Sequence, residues 1–188
     1  GIHNRKYCDG GQCIRLYKTF MKKKDPEAAN IVMGHNEEDL LGLGTIFSLL
    51  AYKKLYDGEY HPKQCVILEQ ELKIVIELSA AAPVNVSCGN SDFYLSVNGY
   101  EARMLVHLKE GKLRQYYRNY KDYEFIPGED TAMPKSITRY MDKSLKIATT
   151  PQTCYTWFNC DEDFLNNEKK QMQYLTHTLP FFLDNLNK

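Results

Sequence analysis

Along the first third of the chain, apolar residues recur at helical spacing. In residues 10–23, Ile14, Leu16, Tyr17, Phe20 and Met21 share one pattern, and Lys22-Lys23-Lys24 suits the negative end of a helix dipole. Asp25-Pro26 signals a second start: Asp25 can cap while Pro26 takes the first helical position, opening a segment through Ala28, Ala29, Ile31, Val32 and Met33. A third pattern over residues 37–56 carries Leu40, Leu41, Leu43, Ile46, Phe47, Leu50 and Leu55 and stops at Asp57-Gly58. Three helices with short connections are predicted.

After a linker at residues 58–62 the period becomes two. Residues 64–78 place Leu72, Ile74, Ile76 and Leu78 opposite Lys73 and Glu77, giving one strand or a strand pair interrupted near Glu69-Gln70. Residues 93–97, 102–108 and 113–125 follow as strands, with Asn98-Gly99 and Glu110-Gly111-Lys112 as hairpin turns. From Pro134 to Lys146 the pattern is helical again, and Asp161 opens a last amphipathic stretch that Pro180 breaks or kinks. The predicted fold class is α+β. An N-terminal three-helix segment (residues 1–58) precedes an α+β domain (residues 63–188) with an antiparallel β-meander and C-terminal helices.

Composition agrees with a packed core. Of 188 residues, 43% are hydrophobic and 26% charged, too apolar for a disordered chain. No apolar run approaches the roughly 18 residues of a membrane span, so no membrane partner is expected. The 24 bases and 24 acids cancel, which argues against histone-like coating of nucleic acid. The cancellation hides unlike segments: residues 1–24 hold seven bases and one acid, residues 25–62 two bases and seven acids, and residues 109–150 nine bases and six acids. The sequence opens without Met, and Met21 is the first. This suggests a piece of something longer, and no signal-peptide pattern is present. The six cysteines, at 8, 13, 65, 88, 154 and 160, show no two-residue gap of a zinc knuckle or redox pair. They are expected as free thiols in a cytoplasmic protein. A metal site from His3, Cys8 and Cys13 is conceivable by residue type, but a spacing of five puts the two thiols on different faces if both are helical.

The string HNEEDLL beginning at His35 is the most informative chemistry. In a helix, His35 and Asp39 lie one turn apart on the same side, where a carboxylate can hold a divalent metal and an imidazole can orient or deprotonate water. Spacing alone equally describes an acidic helix start with a capping histidine. The surrounding residues 25–44, DPEAANIVMGHNEEDLLGLG, preceded by GQCIRLYKTF at 11–20, resemble the end of the ribonuclease H-like exonuclease domain of the YprB-like family, among the DEDD-type nucleases. That resemblance implies a metal-dependent 3'–5' exonuclease acting on nucleic acid. Asp39 would be the final metal-binding carboxylate and His35 the catalytic residue that positions the attacking water. Mg2+ or Mn2+ is implied for the complete protein.

The chain departs from the family in lacking an upstream Asp-x-Glu and a second Asp, which a two-metal site requires. Only Asp9, Asp25 and Glu27 precede His35, and Glu69-Gln70-Glu71 follows it, in reversed order, as solvent-face carboxylates. Tight metal binding and hydrolysis by this chain alone are therefore not expected. The apolar faces of the first helices, without the family's sheet, would pack on the β-domain or form a homodimer. A second candidate is the run 113–125. As one strand it places Arg114, Tyr116, Arg118 and Tyr120 on one face, able to stack bases and neutralise phosphates, and Leu113, Tyr117, Tyr123 and Phe125 on the other. The same alternation describes a core face and a half-exposed, tyrosine-rich sheet surface. The competing function is thus a noncatalytic module that binds nucleic acid or protein. Glu129, Asp130, Lys135 and Arg139 are read as a structural ion network.

Overall fold

The computed structural model describes residues 6–186. The chain divides into two compact units, Gly1–Leu50 and Ala51–Lys188. In the first unit, helix α1 (Gly10–Lys23) begins at a capping box: the Asp9 side chain accepts from the Gln12 N–H at 2.8 Å, and the Gln12 side chain accepts from the Asp9 N–H at 3.2 Å. Helix α2 (Pro26–Phe47) starts as read, with Asp25 accepting from the Glu27 N–H at 3.0 Å. The predicted break near Gly34 is not there, and α2 continues to Phe47. Gly34 serves a close approach, since a Cβ at this position would lie 2.4 Å from Cζ of Tyr7. The second and third predicted helices therefore divide at Ser48-Leu49, before α3 (Leu50–Asp57). Gly58 ends α3 at φ 87°, the left-handed conformation that glycine adopts without steric cost.

In the second unit the last three residues read as linker, 60–62, already belong to strand β1 (Tyr60–Leu68), where buried Tyr60 pairs with Leu78 of β2 (Glu71–Leu78). Glu69-Gln70 is the turn of that hairpin, with Glu69 left-handed at φ 55°. Leu72, Ile74, Ile76 and Leu78 are all buried, as their alternation predicts. Strands β3 (Val86–Gly89), β4 (Phe93–Asn98) and β5 (Glu101–His107) complete a five-stranded antiparallel sheet of order β1-β2-β5-β4-β3. It is not a simple meander, because β5 returns to pair with β2 and joins the first hairpin to the second.

The predicted single strand over residues 113–125 is corrected. Strand β6 (Lys112–Tyr116) ends early and pairs with β10 (Tyr155–Asn159), a strand the periodicity missed. The chain then turns through Tyr120–Asp122. Thr149 holds that turn by donating its hydroxyl to the Tyr120 carbonyl and, at 2.9 Å, to the Tyr123 carbonyl. Strand β7 (Tyr123–Ile126) lies in a separate three-stranded sheet between β8 (Thr131–Pro134) and β9 (Ile147–Ala148). The helix expected over 134–146 shrinks to the short α4 (Lys135–Thr138). Asp142 opens a new turn by accepting from the Ser144 N–H at 2.8 Å, and Lys146 is drawn to Glu124. Asp161 caps α5 (Glu162–Leu165). Helix α6 (Glu168–Asp184) runs through Pro180, whose ring is buried. Tyr174, Leu175, Leu179 and Phe182 of α6 share one core with Leu55 of α3 and the inner face of the large sheet, Phe182 lying 5.4 Å from Phe93 between ring centres. No described helix is long and apolar enough to cross a membrane.

Candidate functional site

His35 and Asp39 meet on one side of α2, with Nε2 of His35 3.3 Å from Oδ2 of Asp39. The ring is 7% exposed, while the Asp39 side chain is 47% exposed. A second contact fixes the ring, because Nδ1 lies 2.9 Å from the carbonyl oxygen of Cys8, 27 residues earlier. A carbonyl can only accept, so Nδ1 carries a proton and Nε2 is the nitrogen turned to Asp39. An imidazole held this way beside a half-exposed carboxylate can orient water or polarise a cation's hydration shell. The neighbouring Glu38 is half engaged: its Oε1 accepts from the Lys6 N–H at 2.7 Å, while its Oε2 is buried without a hydrogen-bond partner among the described residues.

Cys8 precedes α1, so the condition that would have separated the two thiols does not hold. Cys13 lies beside Cys8 and near Asp39, and desolvation with those two neighbours pushes its thiol pKa up. His3 lies outside the described residues. Among the described residues no group of three His, Cys, Asp or Glu side chains is placed to hold a metal ion. The donor set among the described residues does not fit a two-metal centre.

The four residues expected on one nucleic-acid-binding face are separated. Tyr116 is 4% exposed and stacks on Phe181 with ring centres 3.6 Å apart, so it is not accessible to a base. The Arg114 guanidinium lies over the rings of Tyr155 (4.8 Å) and Trp157 (4.7 Å), with Asp92 at 4.0 Å. Arg118 lies over Tyr56 and is 3.5 Å from Asp184. Of the predicted ion network, Asp130 accepts from the Tyr155 hydroxyl at 2.5 Å and lies 3.8 Å from Lys109.

Tyr120 lines an open cleft of about 580 Å³ beside the three-stranded sheet, together with Tyr123, Glu124 and four lysines, 121, 135, 143 and 146. Lys146 is committed to its floor, donating to Glu124 at 2.8 Å and to the Thr138 carbonyl at 2.7 Å. The Lys146 bond, then the Thr138 hydroxyl, holds the Glu124 carboxyl below the usual carboxylate range. Lys121, Lys135 and Lys143 are exposed and have no ion-pair partner among the described residues. Sequence reasoning missed this cleft, because its walls come from a turn, a short helix and an edge strand that periodicity does not separate. Its traces in the sequence were the surplus of bases over residues 109–150 and the separate readings of Tyr120 and Lys135, which nothing local brought together.

Residues 1–51 match the RNase_H_2 family model, described as RNase_H superfamily. This N-terminal segment is thus similar to the RNase H superfamily. The match covers 51 of the 188 residues and includes α1, α2, His35 and Asp39. No curated protein and no solved structure matches the chain.

Proposed function

We propose that residues 1–51 are the C-terminal helical part of a metal-dependent RNase H-like 3'–5' exonuclease domain, in which Asp39 is the last metal-binding carboxylate and His35 positions the attacking water. The observation that carries this reading is the clamp on His35, which fixes Nδ1 on the Cys8 carbonyl and turns Nε2 to a half-exposed Asp39 within the superfamily-matching segment. In-line displacement with two metals needs several carboxylates. The remaining acids, and the Mg2+ or Mn2+ they would hold, are therefore assigned to polypeptide beyond this chain, which alone does not hydrolyse nucleic acid. The apolar surface of α2 supports the same reading: Leu40 is 69%, Leu41 71% and Phe47 63% exposed. A helix apolar on most of its circumference is suited to being covered by another layer.

The test is the gene's complete polypeptide. An Asp-x-Glu on a strand encoded upstream of Gly1, with Mn2+-dependent shortening of single-stranded oligonucleotides that Asp39→Asn abolishes, is the expected outcome. A complete polypeptide lacking Asp-x-Glu, or one whose shortening activity survives Asp39→Asn, overturns the proposal. So does robust trimming by the 188-residue chain alone.

A further inference from the structure

The second unit carries a feature that the nuclease reading does not use. Among the clefts lined by described residues, the one beside the small sheet has four lysines against one glutamate. Others are closer to balance: Lys109 and Lys112 face Glu110, Glu129 and Asp130 in one, and Asp161 faces Lys170 in another. Lys146 neutralises Glu124 within the floor, so the charge presented to a ligand is that of Lys121, Lys135 and Lys143. Two tyrosines line the same space. Tyr123 is held by stacking on Tyr117 at 5.2 Å, and the backbone carbonyls of Tyr120 and Tyr123 are both tied to Thr149. The floor is thus built before any ligand arrives. Thr138, fully buried, donates to Glu124, and Glu124 and the Thr138 carbonyl both accept from Lys146.

We propose that this cleft binds a single strand of nucleic acid, with Lys121, Lys135 and Lys143 on successive phosphates and Tyr120 against a base. Three flexible cationic side chains, none of them in a close ion pair among the described residues and only Lys135 feeling the Glu124 carboxylate, suit a phosphodiester backbone, and an aromatic wall suits a planar base of any identity. The volume lies in the range of ordinary ligand sites. The choice of nucleic acid over another polyanion rests on the proposed function. The test reads binding rather than hydrolysis, so failure of one does not imply failure of the other.

The experiment is fluorescence anisotropy of a labelled oligothymidylate or oligouridylate with the 188-residue chain as a function of salt. Three phosphate contacts on a single strand give a slope of log affinity against log salt of about −2, or roughly a 20-fold loss between about 50 and 200 mM. Lys135→Gln with Lys143→Gln should weaken binding at least about tenfold at low salt and bring the slope to about −0.7. Circular dichroism checks that the fold is kept. Tyr120→Leu should weaken the oligonucleotide several-fold and leave inorganic polyphosphate unaffected. Binding that survives the double lysine substitution would belong to the basic first helix and would overturn the proposal. Equal affinity for polyphosphate and oligonucleotide, with no effect of Tyr120→Leu, would overturn it too, leaving a general polyanion surface.

Discussion

Replacing His35 by alanine separates an anchored imidazole from one that merely sits near an acid. The parent ring is nearly buried, and its Nδ1–H satisfies the Cys8 carbonyl at 2.9 Å across 27 residues of chain. Losing that hydrogen bond costs about 1 kcal/mol, and a carbonyl left without a partner at a half-buried position adds about 1 more. Removing the apolar part of the ring costs roughly 1 kcal/mol, offset by about 0.5 from alanine's better helix propensity. The expected destabilisation is about 2–3 kcal/mol, localised in α1 and α2. Urea unfolding followed by circular dichroism measures the total, and hydrogen exchange of α1 and α2 amides gives the location. His35→Asn places an amide N–H near the position of Nδ1 and should recover about half of the loss. An alanine variant within about 0.5 kcal/mol of the parent, or an asparagine variant no better than alanine, would refute the anchor and remove the geometric basis for Nε2 facing Asp39.

Two further outcomes follow from burial. Desolvation pushes the Cys154 and Cys160 thiols up to about 11 and Cys65 up to about 12. A raised folded-state value means that stability is whole below the unfolded thiol's pKa near 9 and is lost as pH climbs from there towards 11 and 12. The urea midpoint should therefore fall across that window, and these thiols should resist alkylation at pH 8 until urea is added. A flat midpoint up to pH 11 would contradict the assignment. The second outcome concerns association. The exposed apolar residues of α2 should make the 188-residue chain self-associate in sedimentation equilibrium, and Leu41→Glu with Phe47→Lys should return it to a monomer. A parent chain that stays monomeric at high concentration would count against those residues forming a surface meant to be covered.

Local chemistry was legible where it acts over one or two turns. Asp25-Pro26 and Asp57-Gly58 mark real helix ends, the alternation from Leu72 to Leu78 marks a real half-buried strand, and the four-residue spacing of His35 and Asp39 does bring them together. What sequence could not supply was set by residues far away along the chain. The apolar patterns ending at Met33 and starting at residue 37 left a gap that the structure closes as continuous helix, with Gly34 answering to the Tyr7 ring. The run 113–125 alternates well enough for one strand, but Thr149 and the pairing of β6 with β10 divide it, and that division buries Tyr116 and leaves Tyr120 in a cleft. Lys146 extends a helical pattern on paper and is instead committed to Glu124, 22 residues earlier. The clamp on His35 from Cys8 was invisible for the same reason.

The two units differ in whether they are sufficient in themselves, and the difference bears on function. The second closes its own core, with Leu72, Ile74, Ile76, Met104, Tyr174 and Phe182 fully buried. The first falls short in two independent respects that meet on α2. Its apolar residues Leu40, Leu41, Leu43, Ile46 and Phe47 face solvent, and Asp39 belongs to no group of three ligand-type side chains among the described residues. Covering five such side chains would contribute on the order of 5–10 kcal/mol. On the proposed reading a single added layer, a sheet bearing Asp-x-Glu, answers both shortfalls, whereas self-association would cover the apolar residues and leave the metal chemistry incomplete. The lysine cleft needs no such layer, because its floor is tied together within the second unit. Strand binding should therefore be measurable in this chain as it stands, and hydrolysis only once the acids missing beside Asp39 are supplied.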